Sequence, residues 1–102
     1  MAEWIKVPGG ENMSEGTMIA ATALGKRLIV YRTAAGYFAT DRRCTHQAAD
    51  LMRGYFDENI IECPVHQGRF NICTGAALSA PASAPLKTYP VKLEASQVLV
   101  QV

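Results

Sequence analysis

Two short Cys/His pairs constrain this chain more than any other feature of its sequence. The chain has only two histidines, and each follows a cysteine closely, as a C-x-H at Cys44–His46 and as a C-x-x-H at Cys63–His66. Sixteen residues separate the two pairs, an interval that accommodates a β-hairpin. The pairs are therefore expected on two loops that approach each other from neighbouring turns.

The rest of the sequence is a series of short strand patterns separated by Gly, Pro and Asn turn signals. A single helical candidate spans 47–53, and the Pro/Ala/Ser-rich stretch 77–87 is expected to be an ordered extended loop. Many short strands without a sustained helical period favour an all-β sandwich or barrel. Strands are predicted over residues 4–7, 18–22, 27–33, 37–40, 68–72, 88–94 and 97–102, with a further hairpin over 54–63.

Length, charge and cysteine count limit the possible size, partners and cellular location of the protein. A length of 102 residues predicts one domain, 1–102, with enough core to fold without disulfides. A formal net charge of +1 gives no reason to expect nucleic acid or an anionic membrane as a partner, and no apolar run has the length of a membrane span. Three cysteines do not form a disulfide framework, and the N-terminal MAEWIKVPGG has no basic region followed by an apolar stretch, so no secretory signal is expected. These features predict a soluble cytoplasmic protein.

Thiolate and imidazole together are the ligands of a metal site that binds nitrogen and sulfur. One zinc ion accepts two Cys and two His in any order, so a zinc site remains an alternative. The presence of one Cys and one His on each loop favours a dinuclear cluster instead. Two irons bridged by two sulfides offer four terminal positions, which can be divided between two cysteines and two histidines.

The residues around these pairs resemble a known family. CTH and CPVH, the run CPVHQGRFNICTG, the Pro-rich APASAPLKTYPV and the terminal hairpin resemble the Rieske [2Fe–2S] ferredoxins of bacterial aromatic-ring-hydroxylating dioxygenase systems, of the naphthalene and biphenyl type. The resemblance implies an antiparallel β-sandwich in which two loops at one tip form a cluster-binding subdomain, at about residues 41–75. It implies that Cys44 and Cys63 hold the inner iron, and that His46 and His66 hold the outer iron.

The resemblance also implies a function. The chain is expected to be a monomeric one-electron carrier from an NAD(P)H-dependent flavoprotein reductase to a terminal Rieske oxygenase, with no catalytic activity of its own. A Rieske-like small subunit of an enzyme such as nitrite reductase is the alternative.

Four residues near the ligands differ from those of respiratory-chain Rieske proteins. By resemblance, those proteins join the two loops by a disulfide where this chain has Ala49 and Val65. They place Ser and Tyr hydroxyls against the cluster where this chain has Gly68 and Phe70. Fewer hydrogen bonds to the cluster predict a potential near the lower end of the Rieske span, around −150 mV.

Other residues near the four predicted ligands also have expected roles. Arg42, Arg43, Arg53 and Arg69 either steer an acidic partner or are ordinary surface charges. Cys73 is expected to be a small packing residue, and the proline-rich loop with Pro81 and Pro85 is implied to cover the cluster.

Overall fold

Eleven short strands make up almost all of the regular structure in the described part of the chain. The computed structural model describes residues 3–45, 48–80 and 82–102. Neither of the two 3-10 helices in these ranges, Gly10–Asn12 and Leu51–Arg53, is long and apolar enough to cross a membrane. The strands are β1 Trp4–Lys6, β2 Thr17–Ala23, β3 Lys26–Thr33, β4 Gly36–Asp41, β5 Tyr55–Asp57, β6 Ile60–Glu62, β7 Arg69–Asn71, β8 Ala77–Ser79, β9 Thr88–Tyr89, β10 Val91–Glu94 and β11 Gln97–Gln101.

The strands form three antiparallel sheets. The first has the order β1-β11-β10, the second β2-β3-β4-β9 and the third β5-β6-β7-β8. The second sheet contributes side chains to two separate apolar cores, one shared with the first sheet and one shared with the third. It therefore lies in the middle of the molecule, with a core on each face.

Strand β3 contributes buried side chains to both apolar cores. Leu28, Ile29, Val30 and Tyr31 are all fully buried, although side chains alternate between the two faces of a strand. Leu28 and Val30 belong to the core shared with the first sheet, whereas Ile29 and Tyr31 belong to the core shared with the third. An uninterrupted apolar run is the pattern expected of a strand that is covered on both faces.

The predicted all-β architecture is confirmed, but the predicted helix over 47–53 is wrong. Only Leu51–Arg53 form one 3-10 turn, and residue 47 lies outside the described ranges. Arg43 and Asp50 form an antiparallel bridge, and the backbone of Asp50 itself is extended rather than helical. The Asp50 carboxylate then accepts a hydrogen bond from Met52 N and caps the short turn.

The C-terminal part also differs from its prediction. The strand expected over 88–94 is two strands, because Pro90 separates β9, which pairs with β4, from β10, which pairs with β11. Proline has no amide hydrogen to donate to a ladder. The chain therefore changes sheets at this point. Strand β8, within the Pro/Ala/Ser-rich stretch, was not expected at all.

Gly75 attaches the segment after β8 to the rest of the molecule. Its backbone is left-handed, with φ +83°, and its N–H donates to Asn71 O at 2.7 Å while its carbonyl accepts from Leu86 N at 2.8 Å. A Cβ at this position would lie 2.2 Å from Leu86 O. Only glycine satisfies both the backbone angle and the close approach.

We predict that Gly75→Ala destabilises the protein by about 3 kcal/mol, because backbone strain and a clash with a carbonyl add together. Gly16→Ala is the matched control, since Gly16 has the same φ of +83° but nothing within 4 Å of its added Cβ. It should cost about 1 kcal/mol. Urea unfolding of both variants measures the difference, and equal losses would show that the Leu86 contact is unimportant.

Candidate metal centre

The first Cys/His loop is closed at its base by main-chain hydrogen bonds. Cys44 N donates to Ala49 O at 3.0 Å, and Leu51 N donates to Arg42 O at 2.9 Å. These bonds bring the two ends of the 43–50 segment together. Cys44 lies on the inner side of the loop, with 2% of its surface exposed.

An ion pair reinforces the base of this loop. Arg42 Nε donates to Asp50 Oδ1 at 2.8 Å and Arg42 Nη2 donates to Asp50 Oδ2 at 2.7 Å, and both side chains are about three-quarters buried. The hydrogen bonds from Arg42 lower the pKa of Asp50 to about 2, with smaller help from Met52 N–H. A lowered carboxyl pKa stabilises the fold above the carboxyl's unfolded pKa, near 4, and this stabilisation is lost as the pH falls toward 2. The pair is therefore fully charged at neutral pH.

The second loop, between β6 and β7, has the same kind of closure. Cys63 N donates to Gly68 O at 2.7 Å, and Cys63 is fully buried. His66 and Gln67 both have φ +61° and are exposed. Two successive left-handed residues that are not glycine are uncommon, although Ala95 and Ser96 form a second such pair in the turn between β10 and β11. His66 and Gln67 let the loop reverse direction within four residues of Cys63.

A second, weaker ion pair lies at the base of this loop. Glu62 and Arg69 are register partners in β6 and β7, directly before and after the loop. Arg69 Nε lies 2.9 Å from Glu62 Oε1, but 57% of the Arg69 side chain is exposed. An exposed pair joined by one hydrogen bond contributes little to stability. The two loops thus share a geometry but differ in how firmly each is held.

A third segment, residues 82–84, touches both loops. Thr45 Oγ1 donates to Ala84 O at 2.7 Å. Ala82 packs so closely on Gly68 that an added Cβ there would lie 3.0 Å from the Ala82 Cβ. The implied covering role of the proline-rich loop thus has support from its neighbours, although Pro81 itself lies outside the described residues.

The structure brings the two predicted cysteines together in one buried apolar cluster, which also contains Leu51 and Phe70. The pKa of the Cys63 thiol is raised, chiefly by burial and further by the neighbouring Cys44 thiol. His66 lies on the exposed part of the second loop, three residues from Cys63. The remaining predicted ligand, His46, falls outside the described residues.

The donors present fit an iron–sulfur cluster. Two neighbouring thiols lie in a buried apolar cluster, and all three cysteines of the chain are free. Ala49 is buried beside the first loop and Val65 packs against the same core, so these positions contribute apolar contacts rather than a disulfide. Thiolates are stable in such a dry site only when a cation binds them, because burial disfavours the charged form.

Cys73 is half-buried and packs against the same apolar cluster from outside, and burial raises the pKa of its thiol. This agrees with its expected role as a packing residue. Sequence reasoning missed the role of Arg42 and Asp50, which are eight residues apart in an irregular segment. Nothing in the spacing of these two residues indicates that they pair.

We predict that Asp50→Ala costs about 1–3 kcal/mol, because it leaves Arg42 without its partner and Met52 N–H without its cap. Glu62→Ala removes the corresponding pair of the second loop and should cost less than about 1 kcal/mol. Chemical unfolding at neutral pH compares the two variants. The Asp50 effect should be constant from about pH 6 to pH 9, since the Asp50 pKa lies far below this range. A loss that varied across this range, or equal losses in the two variants, would contradict this account.

Comparison with known proteins identifies the family. Residues 3–90 match the model of the Rieske [2Fe–2S] domain. The ferredoxin component of the naphthalene 1,2-dioxygenase system of Pseudomonas putida is 43% identical over 98 residues, which are 96% of this chain and 94% of that protein.

Solved structures agree with this match. A chain in the complex of reduced oxygenase and oxidized ferredoxin of carbazole 1,9a-dioxygenase superposes with a TM-score of 0.88 at 39% identity, covering 95% of this chain and 91% of that one. A protein assigned as the small subunit of an NADH-dependent nitrite reductase of Mycobacterium tuberculosis superposes with a TM-score of 0.85 at 15% identity, covering 100% and 96%. That second likeness shows the fold alone and favours no nitrite reductase role.

The family match decides between the iron–sulfur cluster and the zinc ion that the ligand spacing left open. The chain belongs to the Rieske [2Fe–2S] family, and within it to the ferredoxin components of dioxygenase systems, which bind one Rieske cluster and carry electrons without being catalytic alone.

Proposed function

We propose that this ferredoxin takes single electrons from an NAD(P)H-dependent flavoprotein reductase and delivers them to the terminal oxygenase of an aromatic-ring-hydroxylating dioxygenase system. The observation that carries the proposal is a contrast in exposure within one site. The two neighbouring cysteines are buried, whereas His66, on the same loop as Cys63, is exposed. A carrier needs its redox centre to be held inside protein on one side and approachable on the other.

We assign the ligands as Cys44 and Cys63 on one iron and His46 and His66 on the other. The buried position of both cysteines and the exposed position of His66 support this division. The cluster supplies reversible one-electron transfer at a potential higher than that of an all-cysteine ferredoxin. The cluster-binding part extends over about residues 41–75, which include both closed loops.

The protein's own residues then have separate tasks. The apolar side chains around Cys44 and Cys63, among them Leu51 and Phe70, exclude water from the thiolate side. His66 and Gln67, whose backbone is left-handed, are both exposed on the second loop, so that a partner can approach from the histidine side. No acid–base or nucleophilic chemistry is needed from the chain.

The two proposed partners are chemically consistent with this design. Related ferredoxins occur as named components of dioxygenase systems, and one has been solved in a complex with its oxygenase. A reductase that oxidises NADH or NADPH works where these nucleotides are available, which supports a cytoplasmic location for the carrier. Each encounter must be brief, since the same cluster is used with both partners in turn.

The ligand assignment is tested with His66→Ala, which we expect to lose the cluster or to release it within hours, because one iron loses a ligand. Cys73→Ser is the control, since it replaces the one cysteine outside the proposed ligand set and should retain wild-type iron, acid-labile sulfide and visible absorbance. In the complete system with NADH, reductase and oxygenase, wild type and Cys73→Ser should support turnover and His66→Ala should not. Wild-type protein that failed to link reductase and oxygenase would contradict the proposed function.

The reduction potential tests the surroundings of the cluster. We expect a midpoint near the lower end of the Rieske span, around −150 mV, because Gly68 and Phe70 offer no side-chain hydroxyl. Ala82 leaves little room for a side chain at Gly68, whereas Phe70 is buried in the same apolar cluster as the two cysteines. Phe70→Tyr, which adds a donor, should therefore raise the midpoint in a spectroelectrochemical titration. A clearly positive wild-type midpoint would contradict this reasoning.

A further inference from the structure

A groove of about 700 Å³ opens beside the first cluster loop. Its walls come from three separate parts of the chain: the turn and start of β3, the loop that carries Cys44, and the segment that leads into β9. We name it the basic groove; it is lined by Gly25, Lys26, Arg27, Asp41, Arg42, Arg43, Ala48, Ala49, Asp50, Lys87 and Tyr89.

The charge of this groove differs from that of the rest of the molecule. Five of the ten Lys and Arg side chains of the chain line it, but only two of the nine Asp and Glu side chains do. Outside the groove, five basic and seven acidic side chains remain, so the rest of the surface is net negative. The near-neutral total charge of +1 therefore conceals a strongly cationic face beside the cluster.

The two carboxylates in the groove already have partners within this chain. Asp50 is held by Arg42, and Asp41 accepts a hydrogen bond from the Tyr89 hydroxyl. Lys26 and Lys87 lie over the Tyr89 ring, with their Nζ atoms 5.9 and 5.2 Å from its centre.

The remaining cations of the groove are available to another molecule. Lys26, Arg27, Arg43 and Lys87 are exposed, and within the described part of the chain none of them forms an ion pair shorter than 4.0 Å. They come from different segments and surround a wide opening. Small-anion sites instead have buried donors that converge on one point, and this groove has no such arrangement among its described side chains.

We infer that the basic groove is a docking surface for an acidic face of a protein that exchanges electrons with this ferredoxin. The inference rests on the proposed function, which requires such a protein to approach the cluster loops. Ala48 and Ala49 line the groove and belong to the loop that carries Cys44. A partner whose Asp and Glu side chains enter the groove therefore contacts the cluster loop directly.

Complementary charge acts mainly on the rate of encounter and is strongly screened by salt. Steering between opposite charges raises association rates by about 10-fold to 1,000-fold, and the effect decays over about 8 Å at physiological ionic strength. Such a surface gives fast and short-lived complexes, which suits a carrier that must leave one partner to reach the next.

The test is the double variant Lys26→Glu/Lys87→Glu, which reverses two exposed charges of the groove and leaves Arg42, Asp50 and the proposed ligands unchanged. The matched control is Lys6→Glu/Lys92→Glu, which makes the same change of net charge on the first sheet, outside the groove. Visible spectra and reduction potentials of both should equal those of wild type, so that any change in rate reflects docking.

The KM for ferredoxin is measured in reduction by the reductase and in turnover with the oxygenase, at about 20 mM and about 500 mM salt. The groove variant should raise KM about tenfold at low salt with at least one partner, and the increase should largely disappear at high salt. The control should change KM by less than about twofold.

Equal KM values for wild type and the groove variant with both partners would overturn the inference, as would an equal increase in the control. If wild type supported no electron flow between reductase and oxygenase at all, the proposed function would fail first. The two failures are therefore distinguishable in one set of assays.

Discussion

The site depends on one repeated main-chain interaction, in which the N–H of each proposed cysteine ligand donates to the carbonyl five residues later. Cys44 N reaches Ala49 O at 3.0 Å, and Cys63 N reaches Gly68 O at 2.7 Å. Each bond closes a loop next to its own cysteine, and both cysteines are buried, whereas His66 in the middle of the second loop is exposed. Because the hydrogen-bonded groups belong to the backbone, the closure tolerates changes of side chain at most loop positions.

The two hydrogen-bonded loops hold the cysteines in place only because the apolar core beneath them is continuous with the rest of the fold. The buried cluster that contains both cysteines also contains Ile29 and Tyr31 of β3, the strand that contributes to both cores. Tyr31 is hydrogen-bonded to Thr40 at 2.8 Å and packs against Phe56 of the third sheet, with ring centres 5.0 Å apart. Close-packed interiors transmit displacement, so the positions of the loops are set by the central sheet as well as by the loops themselves.

The sequence predicted the class of fold and most strands because those features leave local patterns, such as the apolar run of β3. The ligand assignment rests on the C-x-H and C-x-x-H spacings and stays a prediction. Sequence reasoning failed where distant parts of the chain decide the local structure: the bridge between Arg43 and Asp50 prevents the helix expected over 47–53. Likewise, the change of sheet at Pro90 depends on two partner strands that no local pattern reveals. The same limit applies to the basic groove, whose cations lie up to 61 positions apart, from Lys26 to Lys87.

Holding the first cluster loop and attracting a partner make opposite demands on charge, and the structure separates them. Arg42 is neutralised by Asp50 in a partly buried pair, which favours a fixed loop. Lys26 and Lys87, in the same groove, are exposed and lie beside an aromatic ring rather than a carboxylate. Had all of these cations been paired internally, the loop would gain little further rigidity and the groove would lose its field. Among the described residues, Lys26 and Lys87 form no ion pair. This arrangement allows a rigid redox site to form fast, salt-sensitive complexes.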